Sequence, residues 1–125
     1  MPKSVFLQAE GNTPKNRIWG FLIVHSEYDY SMKDIARYSK VGYTTLKGIW
    51  KEFKEKNIVV QTRAVGKAKM YRLNLKNSVV NKFIDYYWAV VESVIEKDLD
   101  IKSKSKIHED GYKSVAQIAV SARHS

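Results

Sequence analysis

Twenty residues, Asp34 to Phe53 (DIARYSKVGYTTLKGIWKEF), constrain this chain more than any other stretch. Ser31, with Asp34 three positions on, is a helix-starting pair in which a short acid replaces the usual Glu or Gln. The first predicted helix carries Ile35 and Ala36 inward and stops near Tyr38 or Ser39. Val41 then returns to the core, Gly42 breaks the run, and a second helix opens at Tyr43–Thr44 and continues to about Lys56. On it Leu46, Ile49, Trp50 and Phe53 fall at i, i+3, i+4 and i+7, one apolar stripe of helical period. The opposite stripe holds Thr44, Lys47, Gly48, Lys51 and Lys54. A short helix, a tight turn and a second helix with one buried and one basic face predict a helix-turn-helix. Its second helix has the dimensions to enter a major groove.

An amphipathic helix with lysines on its wet face is ordinary, and many serve only as packing units. The segment after this helix narrows the choice. Ile58 to Thr62 is β-branched and short, Arg63 to Lys69 places Gly66 in a basic segment, and Met70 to Leu75 alternates apolar with polar. That pattern is a β-hairpin with a basic tip. A helix-turn-helix followed directly by such a hairpin predicts a winged helix. The expected fold class is mainly α with a small β-hairpin: a winged helix-turn-helix plus a long C-terminal helix.

The length, 125 residues with 44% hydrophobic content, allows one domain with a real core. There is no cysteine, which excludes disulfides, thiolate metal sites and cysteine nucleophiles. The longest apolar run, Ile18 to Val24, is interrupted by Gly20 and falls far short of the roughly 18–20 residues that span a bilayer. No secretory-type sequence opens the chain, so the expected location is cytoplasmic, in association with the nucleoid. Between Lys40 and Lys76, eight lysines and two arginines face Glu52 and Glu55, a local +8 out of the chain's +9. Basic charge gathered on the second helix and hairpin is the footprint of a polyanion partner. The competing explanation is solubility. A membrane surface fits less well, because no basic amphipathic helix has bulky apolar residues to spare.

In chain order, residues 1–12 form an N-terminal arm in which Ser4 to Ala9, apolar without helical period, is expected as a strand. The winged-helix domain is placed at 13–76. Thr13 before Pro14 starts a helix to about His25 that turns Ile18, Phe21, Leu22 and Trp19 inward and is apolar nearly all round. Residues 26–30 are a connecting loop. Asn77–Ser78 then offers a cap for a long helix over 77–99, whose stripe is Val80, Phe83, Ile84, Tyr87, Val91, Val94 and Ile95, widened by Trp88 and Val90. A helix of about twenty residues is roughly 30 Å long, more than so small a domain needs for its own core. The surplus is expected to form a homodimer; the alternative is that the stripe folds back on the first long helix. Residues 100–125, with alternating lysine and serine, are expected to be a flexible basic tail.

No catalytic chemistry emerges. His25, His108 and His124 are far apart, and only His108-Glu109-Asp110 sets a histidine beside acids. There is no HExxH, no phosphate loop and no nucleophile elbow. The chain is not expected to be an enzyme or to need a metal or cofactor.

These residues resemble the small archaeal winged helix-turn-helix transcriptional regulators related to the ArsR and MarR groups. The likeness rests on Asp29-Tyr30-Ser31, Ile35-Ala36, Thr45-Leu46, Ile49-Trp50, Ile58-Val59, Thr62-Arg63, Gly66, Ala68-Lys69, Tyr71 and Leu73-Asn74, and it covers residues 4 to 96. It implies a regulator that binds double-stranded DNA. Thr44, Lys47 and Lys51, with Tyr43 and Lys54, would face DNA from the reading helix, while Arg63, Lys67 and Lys69 would grip phosphates from the wing. Two positions depart from the pattern. Lys40 stands where the turn usually has glycine, which predicts a strained or differently shaped turn, and Gly42 replaces a capping serine. Gly48 on the exposed face costs up to about 1 kcal/mol relative to alanine but leaves room for a DNA backbone. The ArsR-type metal role does not transfer, because its ligand clusters are missing. The rival function is a protein-interaction winged helix in a larger assembly. Binding of RNA or single strands ranks last, since only Tyr43 and Tyr71 offer stacking surfaces.

Overall fold

The protein's structure, a computed structural model, describes residues 4–102. Its first element corrects an expectation. Val5–Glu10 is a helix, α1, not a strand. Phe6 is buried, with its ring 4.7 Å from Tyr87 and 6.1 Å from Phe83. The neighbouring Leu7 is half-buried, so two successive side chains share one side, which a strand forbids and a helix permits. Gly11, at φ 108°, ends the turn by donating its N–H to the Leu7 carbonyl at 2.9 Å.

Helix α2 spans Pro14–Val24, with Thr13 Oγ1 accepting from the Asn16 N–H at 3.1 Å and proline at the first position. Ile18, Trp19, Leu22 and Ile23 are buried, and Phe21 is half-buried. The helix is apolar nearly all round because it is central. Trp19 stacks on Phe83 at 4.0 Å and lies 5.2 Å from Phe53, and α1 packs on α2 as well.

Strand β1 (Tyr30–Ser31) leads straight into α3 (Met32–Ser39), where Ser31 Oγ accepts from the Asp34 N–H at 3.2 Å. Lys40 follows in the left-handed region, φ 57° and ψ 44°. Its N–H reaches the Arg37 carbonyl at 3.2 Å, and the Val41 N–H reaches the Ala36 carbonyl at 2.9 Å. This is a Schellman close, the role glycine usually fills. Arg17 supports the turn by donating to the Ser39 carbonyl at 3.1 Å and the Lys40 carbonyl at 3.4 Å. The lysine departure therefore leaves the turn geometry intact and places its strain on one residue.

Helix α4 spans Tyr43–Glu55, with Leu46, Trp50 and Phe53 buried and Ile49 half-buried, as the stripe predicts. Strands β2 (Val59–Val65) and β3 (Ala68–Leu73) form the hairpin around Gly66–Lys67. Trp50 meets Tyr71 edge-to-face at 5.4 Å, which seats the sheet on α4. The sheet has a third strand: its order is β1-β3-β2, all antiparallel, with Tyr30 opposite Tyr71 and Ser31 opposite Met70. The expectation of loop up to Tyr30 missed it. Two residues are too few to show an alternating pattern.

Helix α5 spans Ser78–Lys102. Asn77 Oδ1 caps it by accepting from the Val79 N–H at 2.9 Å. The amide nitrogen of the same side chain donates to the Lys56 and Asn57 carbonyls at 3.0 and 2.9 Å, so one asparagine ties the end of α4 to the start of α5. Among the described residues no helix is long and apolar enough to cross a membrane. The expected helix end at residue 99, with a tail from 100, is corrected, since α5 continues to Lys102; the rest of the expected tail, with the His108-Glu109-Asp110 trio, lies outside the described residues.

Candidate nucleic-acid interface

Tyr43, Thr44, Lys47, Gly48, Lys51 and Lys54 are all exposed on α4, and Thr45 joins them. A Cβ added at Gly48 would meet nothing within 4 Å, so this glycine serves no packing need inside the chain. Lys47 Nζ sits over the Tyr43 ring at 5.1 Å, which draws its charge toward the N-terminal end of the helix. Among the described residues no carboxylate lies within ion-pair distance of Lys47, Lys51 or Lys54. Glu52 is turned to the flank, where Lys15 and Lys56 donate to it at 2.9 and 2.8 Å. These hydrogen bonds, that of Lys56 foremost, lower its carboxyl to about 2. Glu55 remains exposed in the last turn.

The wing is built differently. From Gln61 to Lys69 every residue is exposed, yet Arg63 is committed within the chain. Its Nε donates to Asp29 Oδ2 at 2.9 Å and its Nη2 to Asp29 Oδ1 at 3.1 Å. Gln61 pairs with Tyr71 and Arg63 with Met70, which leaves Thr62 as the extra residue of a bulge. The Thr62 hydroxyl donates to the same Asp29 carboxylate. Hydrogen bonds from Arg63 first, and from Thr62 second, lower the Asp29 carboxyl to about 2. Lys67 and Lys69 have no acid partner among the described residues.

The structure brings Tyr43, Lys67 and Lys69 together around a groove of about 350 Å³, along with Met32, Tyr71 and Lys33. Lys33 was not among the predicted contacts. Its proximity to the wing follows from the β1–β3 pairing, which sets Ser31 beside Met70; without β1, nothing in the sequence joins the start of α3 to the hairpin. Lys47, Lys51 and Lys54 continue along α4 outside this groove. Among the described residues, no group of three or more His, Asp or Glu is placed to hold a metal ion.

The predicted dimerisation stripe divides in two. Val80 and Tyr87 are buried in the chain's own core, and Phe83, Ile84 and Val91 pack partly against it. Val94 and Ile95 are half-buried further along α5, outside that cluster. Burial raises the Tyr87 hydroxyl's pKa.

A helix-turn-helix whose second helix, α4, has a free basic face, a hairpin beside it and a long helix after it define a winged helix-turn-helix protein of MarR-like fold. No family model matches the sequence, and no curated protein matches it. Solved structures do match in fold. One is MepR, a transcription regulator of the Staphylococcus aureus multidrug efflux pump MepA, at 13% identity and a TM-score of 0.54 over 93% of this chain and 81% of that one. A mutant of Lactococcus lactis ZitR is similar at 15% identity and a TM-score of 0.55, covering 88% of this chain and 75% of that one. The MarR family transcriptional regulator SPO1453 from Silicibacter pomeroyi is similar at 14% identity and a TM-score of 0.53, covering 75% and 68%. The likeness carries the MarR side of the resemblance at the level of fold, and an archaeal source finds no support in it.

Proposed function

We propose that this chain is a sequence-specific transcriptional regulator that binds double-stranded DNA, with α4 in the major groove and the β2–β3 hairpin on flanking phosphates. The observation that carries this reading is the unpaired basic face of α4. Lys47, Lys51 and Lys54 stand clear while Glu52 is neutralised on the flank. MepR and SPO1453, both of similar fold, are transcription regulators, which supports the same role.

The mechanism has two layers. Lys67 and Lys69, and the Arg63 donors not given to Asp29, neutralise phosphates and supply affinity without sequence information. Tyr43, Thr44, Lys47 and Lys51 reach base edges. A lysine can donate to guanine, and a threonine offers a hydroxyl and a methyl for thymine. A homodimer through the outer part of α5 would present two reading helices to half-sites about 34–36 Å apart.

Fluorescence anisotropy on mixed-sequence duplex DNA across a salt series tests the proposal. The expected result is tight binding at low salt with a steep negative log–log slope. Absence of binding at low salt would sink it and leave the exposed part of α5 as the surface to pursue for a protein partner.

A further inference from the structure

We propose that the groove between the hairpin tip and the start of α3 seats the phosphates of one DNA strand, with Lys33 as a cation supplied from outside the reading helix and wing. This rests on the DNA-binding reading and adds a third element to it. Lys33 comes from α3, and Lys67 and Lys69 come from the hairpin; all three line one concavity of about 350 Å³. Like charges around a shared concavity repel each other, so an anion placed there is favoured by all three at once.

The acids nearest in sequence are already engaged. Asp34, next to Lys33, accepts from Arg37 Nη2 at 3.1 Å. Asp29, just before β1, is held by Arg63 and Thr62. Among the described residues neither Lys33, Lys67 nor Lys69 forms an ion pair, so the groove keeps its positive charge in the free chain.

The rest of the lining suits a sugar–phosphate chain better than a bare ion. Met32, Ala68 and the rings of Tyr43 and Tyr71 supply apolar surface between the lysines. A nucleic-acid backbone alternates charged phosphates with less polar sugars, whereas a free inorganic anion would leave the apolar surface unused. The β1–β3 pairing fixes the distance between the two banks, since Ser31 and Met70 are partners in the sheet.

The test uses the full chain and a labelled mixed-sequence duplex of about two helical turns. The Lys33→Ala and Lys67→Ala variants should each lower the salt slope by about 0.9, with roughly a fivefold to tenfold loss of affinity near 0.1 M salt on every sequence. Lys33→Arg should restore the slope, and Lys82→Ala, an exposed lysine on α5, should change neither quantity. Inorganic phosphate at millimolar concentration should compete no better than its ionic strength predicts, which separates a strand seat from a small-anion site. Unchanged slope and affinity for Lys33→Ala, in a wild-type chain that binds DNA, would overturn the seat and leave the reading helix standing. A wild-type chain that ignores duplex DNA would overturn both.

Discussion

Arg63 and Asp29, thirty-four positions apart, meet through two hydrogen bonds of 2.9 and 3.1 Å, and the pair anchors the base of the wing to the loop before β1. The bulged Thr62 adds its hydroxyl to the same carboxylate. An arginine on an exposed strand of a basic hairpin looks like a phosphate contact in sequence, and here two of its donors are given to Asp29 within the chain.

This pairing makes stability depend on pH in an assignable way. Asp29 is lowered from 3.8 to about 2, and Glu52 from 4.5 to about 2. Between those values the unfolded chain binds more protons than the folded one, so stability is full above the unfolded values and falls as pH drops toward 2. Thermal melts should be flat with respect to these two groups from pH 7 to 5 and decline below. An Asp29→Asn, Glu52→Gln double variant should show a shallower decline; equal steepness in both chains would remove these carboxylates from the account.

Lys47→Ala and Lys67→Ala should differ in kind. The first should weaken binding and relax sequence preference, because Lys47 lies on the exposed α4 face proposed to meet base edges. The second should weaken all sequences alike. Selection of preferred sequences from a random pool by each variant gives the comparison, and uniform loss for both would refute the division of labour.

Phe6→Ala should cost about 3 kcal/mol or more, as expected for removal of a buried aromatic side chain, with a fall in Tm on the order of 10 °C or more. Phe6 is 1% exposed and packs against the Phe83 and Tyr87 rings of α5. An unattached arm would tolerate the change, so urea unfolding of this variant decides what the first residues do.

Much of the architecture was legible because the core spacing was strict. Leu46, Trp50 and Phe53 could belong to one helix face only, and Thr13-Pro14 and Ser31 start helices through local side-chain chemistry. Four features were not legible, each for a physical reason. Val5 to Glu10 is too short for a period to separate helix from strand, and burial of Phe6 against α5 decides it. Strand β1 exists only because β3 offers an edge to pair with. The Asp29–Arg63 pair and the position of Lys33 depend on that same long-range pairing, so local pattern could not reveal them.

Lys40→Gly should stabilise the chain. A non-glycine residue in the left-handed region costs about 1–2 kcal/mol, partly offset by the extra freedom of glycine when unfolded, leaving a gain of about 0.5–1 kcal/mol. Lys40 holds φ 57°, and Lys40→Val should be destabilising at the same position. A pair of denaturant titrations settles the signs.

Ile95→Glu should yield monomers in sedimentation experiments without loss of Tm in the remaining fold, since Ile95 is only half-buried and lies outside the chain's own core cluster. If the wild-type chain sediments as a monomer, the paired arrangement of reading helices is wrong.

The two-way grip of Asn77 has a mechanical consequence. Its amide nitrogen holds the Lys56 and Asn57 carbonyls while its oxygen starts α5, and Asn74 adds a bond to Asn57 at 3.0 Å. The end of α4 and the root of α5 thus share a bolted joint in place of a slack hinge. In a pair of chains joined along α5, the distance between the two reading helices would be gauged by that joint, and a tilt of one long helix would be delivered to its reading helix as a change of reach along the duplex.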